Sequence, residues 1–289
     1  MASTAEKDEH TGLNTTGHEW DGIRELDRPL PRWWVYVFYA CILWAFVLVI
    51  LYPAIPWGSS HSKGLLGWTS RGQLSEALAT AKAAQAKYLK RIATMSPEEI
   101  TKNADLLTFA RAGGKTAFGD NCAPCHGAGG SGAKGFPNLD DDDWLWGGSL
   151  KAIHQTVIYG VRAGNDETRT SDMPKFGADG ILDAKQISDV AEYVMSLSNT
   201  SKDAAAAARG AAIFQENCVA CHGDKGQGNP EFGAPRLSDA IWLYGGDKAT
   251  IVETVTNARA GVMPAWGKRL SAVTIKMLTV YVHSLGGGQ

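Results

Sequence analysis

The chain has 289 residues, is 44% hydrophobic and carries a formal net charge of −2 at pH 7. That length supports two small domains with additional elements, and the near-neutral charge excludes a protein built around a basic, nucleic-acid-binding surface. Of the five cysteines, Cys41 lies in an apolar run while Cys122, Cys125, Cys218 and Cys221 form two C-x-x-C pairs, which leaves no pair for a disulfide framework.

Residues 1–31 are polar and end in Pro29 and Pro31, the pattern of an N-terminal tail leading to a membrane. Residues 32–53 then read as one transmembrane helix. Trp33 to Tyr52, WWVYVFYACILWAFVLVILY, contains no charge, and at ~1.5 Å per residue it spans a ~30 Å hydrocarbon core. Trp33, Trp34 and Tyr36 at one end and Tyr52 and Trp57 at the other supply interfacial aromatic belts. A buried core helix would seldom be so long and uncharged. A cleaved signal peptide is disfavoured by the charged leader and the absence of a prompt A-x-A site. Arg24, Arg28 and Arg32 precede the helix and Lys63 and Arg71 follow it, which sets the N-terminus in the cytoplasm by the positive-inside rule.

Residues 54–105 form a helical connecting segment. Pro53 and Pro56 end the membrane helix. Gln73 to Ile92, rich in alanine and straight-chain side chains, predicts a helix. Ser96 followed by Pro97, Glu98 and Glu99 predicts the start of another.

The remainder is an internal repeat, read as domains 106–198 and 199–289. Gly114, Phe118, Asn121, Cys122, Cys125, His126, Gly130 and Gly132 recur 96 positions later as Gly210, Phe214, Asn217, Cys218, Cys221, His222, Gly226 and Gly228. Further on, Leu139, Trp144, Gly147 and Gly148 answer to Leu237, Trp242, Gly245 and Gly246, two residues out of that register. The small, polar stretch Ser198 to Ala208 reads as the join. Each copy predicts a helix ending at the C-x-x-C-H group, a glycine-rich loop, one or two short middle helices and a terminal helix. The fold class is therefore all-α, one transmembrane helix followed by two tandem cytochrome c domains.

The C-x-x-C-H spacing is that of c-type haem attachment. Cys122 with Cys125, and Cys218 with Cys221, would form thioethers to two covalently bound haems c. His126 and His222 would be their proximal iron ligands. A zinc knuckle or a thioredoxin-like pair also uses C-x-x-C, but neither calls for a histidine directly after it. An electron-transfer haem takes a distal methionine or histidine. Met173 and Met263 both precede proline in repeated segments, DMPKFG and VMPAWG, and an X-Pro step holds the backbone extended to present the sulfur. His154 and His283 compete for the role, but neither is repeated. Between Leu106 and Leu197 acids outnumber bases, with Asp140 to Asp143 as a run. That run is either a solvated loop or a surface that steers a basic donor cytochrome c.

Residues 17–34, GHEWDGIRELDRPLPRWW, followed by one membrane helix and two C-x-x-C-H repeats, resemble the diheme CcoP (FixP) subunit family of cbb3-type cytochrome c oxidase. The resemblance implies a bacterial inner-membrane complex at the end of a respiratory chain. Its partners would be a catalytic haem–copper subunit and a monohaem cytochrome c subunit. The chain would take electrons from a donor cytochrome c and pass them inward, with its haem domains periplasmic. Oxygen reduction and proton pumping would reside on other subunits, so this chain would have no bond-making catalytic residue of its own. The resemblance admits methionines that serve their own repeat and methionines exchanged between repeats, and the sequence leaves both pairings open. The rival reading is a membrane-anchored diheme peroxidase or dehydrogenase cytochrome subunit with one exchangeable iron position.

Overall fold

A computed structural model describes residues 6–286. The first five residues of the expected tail and the last three of the second repeat lie outside the described residues. The chain divides into two compact units, residues 1–84 and 85–289.

The first unit holds a feature that the polar tail did not suggest. Strands β1 (Thr15–Trp20) and β2 (Ile23–Leu26) pair antiparallel. The turn between them is Asp21-Gly22, with φ of 49° and 83°. This is the left-handed pair that a two-residue hairpin demands and that Asp-Gly supplies readily. Arg24 ties the hairpin together through Glu6 and Glu19, at 2.7 and 2.9 Å. Helix α1 (Arg32–Leu51) starts directly after Pro31 and ends at Tyr52, which is extended ahead of Pro53. None of its residues is buried, and its length and composition suffice to cross a bilayer. Beyond it, β3 (Pro56–Trp57) and β4 (Ser60–His61) form a small hairpin. The backbone amides of Leu65 and Leu66 then return to the carbonyls of Ile50 and Leu51.

Helix α2 (Ser70–Thr94) begins in the first unit and ends in the second. Its last turn is capped from far along the chain, because Lys276 Nζ donates to the carbonyls of Ile92, Ala93 and Met95 at 3.2, 2.9 and 2.7 Å. Helix α3 (Pro97–Thr101) opens with the expected cap. Ser96 Oγ accepts from Glu99 N while Glu99 returns to Ser96 N, a capping box. Then follow α4 (Ala104–Asn121), α5 (Ala123–His126), α6 (Leu150–Tyr159) and α7 (Ala184–Leu197). The second copy supplies α8 (Ala204–Asn217), α9 (Val219–His222), α10 (Lys248–Asn257) and α11 (Ala272–His283). The run Ala204 to Ala208, read as part of the join, is the start of α8, capped by Asp203. Alanine has the strongest helix propensity, so the connection shrinks to Ser198–Asp203.

The longest helices of each repeat pack across the repeats. Helix α11 lies against α4 and α7 against α8. Two glycines permit these crossings. A Cβ at Gly114 would strike the Met277 carbonyl, and one at Gly210 would strike the Asp189 carbonyl. Phe118 meets Tyr281 with ring centroids 5.4 Å apart, and Tyr193 meets Phe214 at 5.0 Å. The result is two cores. One joins Phe118, Ile153 and Val157 to Ile275, Leu278, Tyr281 and Val282. The other joins Phe176, Ile187, Val190 and Val194 to Phe214, Ile251 and Val255. Two buried carboxylates on α7 reinforce the second core. Asp189 is held by Lys185 at 3.0 Å and Arg209 at 2.6 Å. Glu192 accepts from Ser201 at 2.6 Å and pairs with Lys248 at 2.9 Å.

Candidate functional site

Both C-x-x-C-H groups are built identically. Helix α4 runs out at Cys122, which caps it and opens the single turn of α5, and Cys218 does the same between α8 and α9. One turn sets the two thiols of each motif on one face, three residues apart, with the histidine next in line. His126 N and His222 N each donate to the first cysteine's carbonyl at 2.9 Å. Gly127 and Gly223, at φ of 78° and 77°, stop the turn.

The histidines are oriented for ligation. His126 Nδ1 lies 3.0 Å from the Pro137 carbonyl and His222 Nδ1 lies 2.9 Å from that of Pro235. A carbonyl only accepts, so Nδ1 carries the proton and Nε2 keeps its lone pair. Burial holds both imidazoles below their ordinary range, against the opposing pull of those hydrogen bonds, which keeps them neutral. Burial, and secondarily the neighbouring cysteine, pushes the Cys122 and Cys218 thiols up to about 11. The loops from each histidine to its proline carbonyl are 11 and 13 residues long, which accounts for the two-residue change of register between the repeats.

The two motifs open into one cavity of ≈ 400 Å³ lined by Cys122, Cys125 and His126 together with Cys218, Cys221 and His222. Phe118, Ile153, Val194 and Phe214 contribute apolar wall, and both Met173 and Met263 line it. Each methionine sits with the opposite repeat. Met263 packs on the core that contains Cys122, and Met173 on the core that contains Cys218. The backbone follows suit. Val161 and Met263 exchange two hydrogen bonds of 3.0 Å, Trp266 N and Gly267 N reach Val157 O and Ile158 O, and Gly177 N and Ala178 N reach Thr256 O. His154 and His283 do not line the cavity. His154 is held below its ordinary range by burial and then by Lys276, with Glu98 opposing.

The residues fit a haem c at each motif: paired thiols, an oriented neutral imidazole, a thioether and apolar wall. A further observation, invisible in the sequence, agrees. Arg259 lines the cavity, and its Nε is a buried donor with no partner among the described residues. Its Nη2 donates to both Thr254 Oγ1 and the Thr250 carbonyl, and the guanidinium lies 4.3 Å from the Tyr244 ring centroid. Arg169 has the matching place in the first repeat, bonded to Thr156 Oγ1 at 2.8 Å and 5.5 Å from the Trp146 ring. An orphaned guanidinium donor suits a propionate carboxylate. No three or more Cys, His, Asp or Glu side chains among the described residues are grouped to hold a bare metal ion, which weighs against the zinc knuckle. The acidic run is not simply a solvated loop, since Asp143 also lines the cavity. Its carboxyl is pushed up to about 6 by burial, then by Asp239 and Asp141, against Arg236.

Comparison with known proteins agrees along the whole chain. Residues 12–59 match the family described as the N-terminal domain of cytochrome oxidase-cbb3, FixP. Residues 112–198 match cytochrome c, and residues 205–282 match cytochrome c oxidase, cbb3-type, subunit III. The chain is 57% identical to the cbb3-type cytochrome c oxidase subunit CcoP of Azospirillum brasilense, over 98% of this chain and 99% of the relative. It is 58% identical to the FixP subunit of Azorhizobium caulinodans, over 96% and 94%, and 56% identical to that of Bradyrhizobium sp., over 100% of both. The cytochrome c domains imply covalently bound haem c, and α1 makes the protein membrane-anchored. Matched end to end in sequence and built around paired C-x-x-C-H turns, the chain belongs to the CcoP/FixP subunit family of cbb3-type cytochrome c oxidases.

Proposed function

We propose that the chain carries two haems c and acts as the electron-entry subunit of its oxidase. Cys122 and Cys125 hold the first haem and Cys218 and Cys221 the second. His126 and Met263 would ligate the iron of the first, and His222 and Met173 that of the second. The observation that carries this reading is the shared cavity, with a C-x-x-C-H turn on each core and a Met-Pro segment from the other repeat against it. Each haem, when bound, would supply a one-electron couple.

The chain's residues set the terms of that couple. The Pro137 and Pro235 carbonyls fix the histidine tautomers and raise their basicity as ligands. The methionine thioethers favour the ferrous state relative to a second imidazole, and the apolar wall excludes water. Arg259 Nε would donate to a propionate carboxylate. With a histidine and a methionine offered to each iron, the chemistry the chain would support is electron transfer, with no bond-making step. Electrons enter from a donor cytochrome c steered by the acidic first repeat. They leave toward the monohaem subunit and the haem–copper subunit that reduces oxygen. The domain scheme is a cytoplasmic tail at 1–31, a membrane helix at 32–53, a connecting segment at 54–105 and periplasmic haem repeats at 106–198 and 199–289. The basic residues ahead of α1 support this orientation.

Two experiments test the proposal. Full-length chain is affinity-purified from native membranes and examined by reduced-minus-oxidised spectroscopy. Haem b bands and cytochrome c-driven oxygen uptake are expected to co-purify, whereas c-type bands alone with peroxide turnover would overturn the oxidase role in favour of the peroxidase rival. Ligand pairing is read in a Cys218→Ala, Cys221→Ala background that retains only the first haem. There Met263→Ala removes the thioether–ferric iron charge-transfer band and Met173→Ala leaves it. The reverse result refutes the exchanged pairing.

A further inference from the structure

Arg162 lies where the two repeats cross, and it is engaged in an unusual way. Its backbone is in the left-handed region at φ 51°, which a non-glycine residue adopts at a cost and only where the surroundings hold it. The surroundings are the distal segments themselves. Val161, just before it, is the residue paired on both sides with Met263, and Arg162 N donates to the Arg169 carbonyl at 2.8 Å. Its guanidinium then reaches both methionine loops: Nε donates to the Gly261 carbonyl at 2.8 Å and Nη1 to the Ser171 carbonyl at 2.7 Å. Each acceptor stands two residues ahead of a methionine, Gly261 before Met263 and Ser171 before Met173. The loops come from different repeats and serve different cores, yet one planar fork bonds the same position in each. The carboxylate of Asp172 is 3.8 Å from Nη1, and the arginine lines the shared cavity.

We propose that Arg162 is a positioning residue for both distal ligands at once, a single guanidinium that locks the Met173 and Met263 loops in register and so couples the axial ligation of the two haems. This rests on the methionine ligation proposed above. The coupling depends on the fork. Charge-assisted hydrogen bonds from one rigid plane to two carbonyls fix the loops relative to each other as well as to the arginine. Lysine keeps the charge and most of the stem, but its single ammonium lacks the planar fork that spans both acceptors. Any residue with a Cβ meets the same backbone strain at φ 51°, so Lys and Gln variants hold that factor constant.

The test uses the haem-loaded full-length chain in detergent, as wild type, Arg162→Lys and Arg162→Gln. Haem content is checked by covalent haem stain, and Arg162→Lys serves if the glutamine variant fails to mature. Imidazole titration of the ferric protein reports how readily each thioether is displaced, and redox titration gives both midpoint potentials. In both variants imidazole is expected to bind each haem about tenfold more tightly, from the loss of one charge-assisted hydrogen bond per loop. Both midpoint potentials fall with the loss of thioether ligation. A change at one haem alone, or at neither, overturns the coupling. A lysine variant that matches wild type while the glutamine variant shifts both haems overturns the fork, leaving charge as the cause. Failure of the underlying ligation is separately visible, because wild type would then lack the thioether–ferric iron band before any substitution is made.

Discussion

Substituting Leu278 by alanine should loosen the first C-x-x-C-H turn, although Leu278 lies 152 residues after His126 in the chain. Leu278 is 1% exposed and belongs to the core of Phe118, Ile153 and Tyr281. Its helix α11 packs on α4, which ends at Cys122. Removing three side-chain carbons costs roughly 2.4 kcal/mol of transfer free energy at ~0.8 kcal/mol each. A residual void of about 30 Å³ adds roughly 0.7 kcal/mol, giving about 3 kcal/mol in all. Hydrogen exchange with mass spectrometric readout, under conditions where exchange follows the opening equilibrium, resolves where that loss falls. Peptides from α4, residues 104–121, are expected to exchange roughly a hundredfold faster, while peptides from α8, residues 204–217, keep their protection. Val190→Ala on α7, also 1% exposed, gives the converse pattern because α7 packs on α8. Loss of α8 protection in Leu278→Ala with α4 unaffected would refute the crossed packing and every ligand assignment built on it.

Two further outcomes are expected. Lys276→Met removes a charged cap from the last carbonyls of α2 and should lower stability in denaturant titration by about 2 kcal/mol, with exchange rising first in residues 85–94. An unchanged midpoint would show the cap to be idle. Stability should also fall in acid. Asp189 is held at about 2 chiefly by Arg209, and Glu192 at about 2 chiefly by Ser201 and then Lys248. Both contribute stability above their unfolded values of 3.8 and 4.5, and that stability is lost as pH drops from there toward 2. Asp189→Asn should flatten this acid limb of a stability-against-pH curve, and an unaltered limb would refute the assignment.

Much of the fold was legible because the local code was strong. The alanine-rich α2, the Ser96 capping box and the uncharged α1 each follow from the residues that form them. The C-x-x-C-H turns point to their own chemistry, since two thiols and an imidazole within one turn need no tertiary help to be recognised. The hairpin at Thr15–Leu26 was missed although Asp21-Gly22 carried the signal for it, because the surrounding residues were read only for their polarity. Arg259 was out of reach, since an orphaned donor is a property of surroundings and not of a residue type. So was Arg162, whose two acceptors lie 9 and 99 positions away.

By itself, the sequence determined two C-x-x-C-H turns, two like sets of helices and a membrane anchor. Only the tertiary structure decided which helix completes which core. Two copies of one pattern carry nearly the same complementary surfaces, Gly114 to α11 and Gly210 to α7, so side-chain identity alone does not choose between partners. The choice follows from chain connectivity. The join Ser198–Asp203 is short enough that α7 and α8 fold back on each other as an antiparallel pair. With α8 so occupied, α4 is left for α11. Met173 and Met263 travel with those helices, and each is carried to the core of the other repeat.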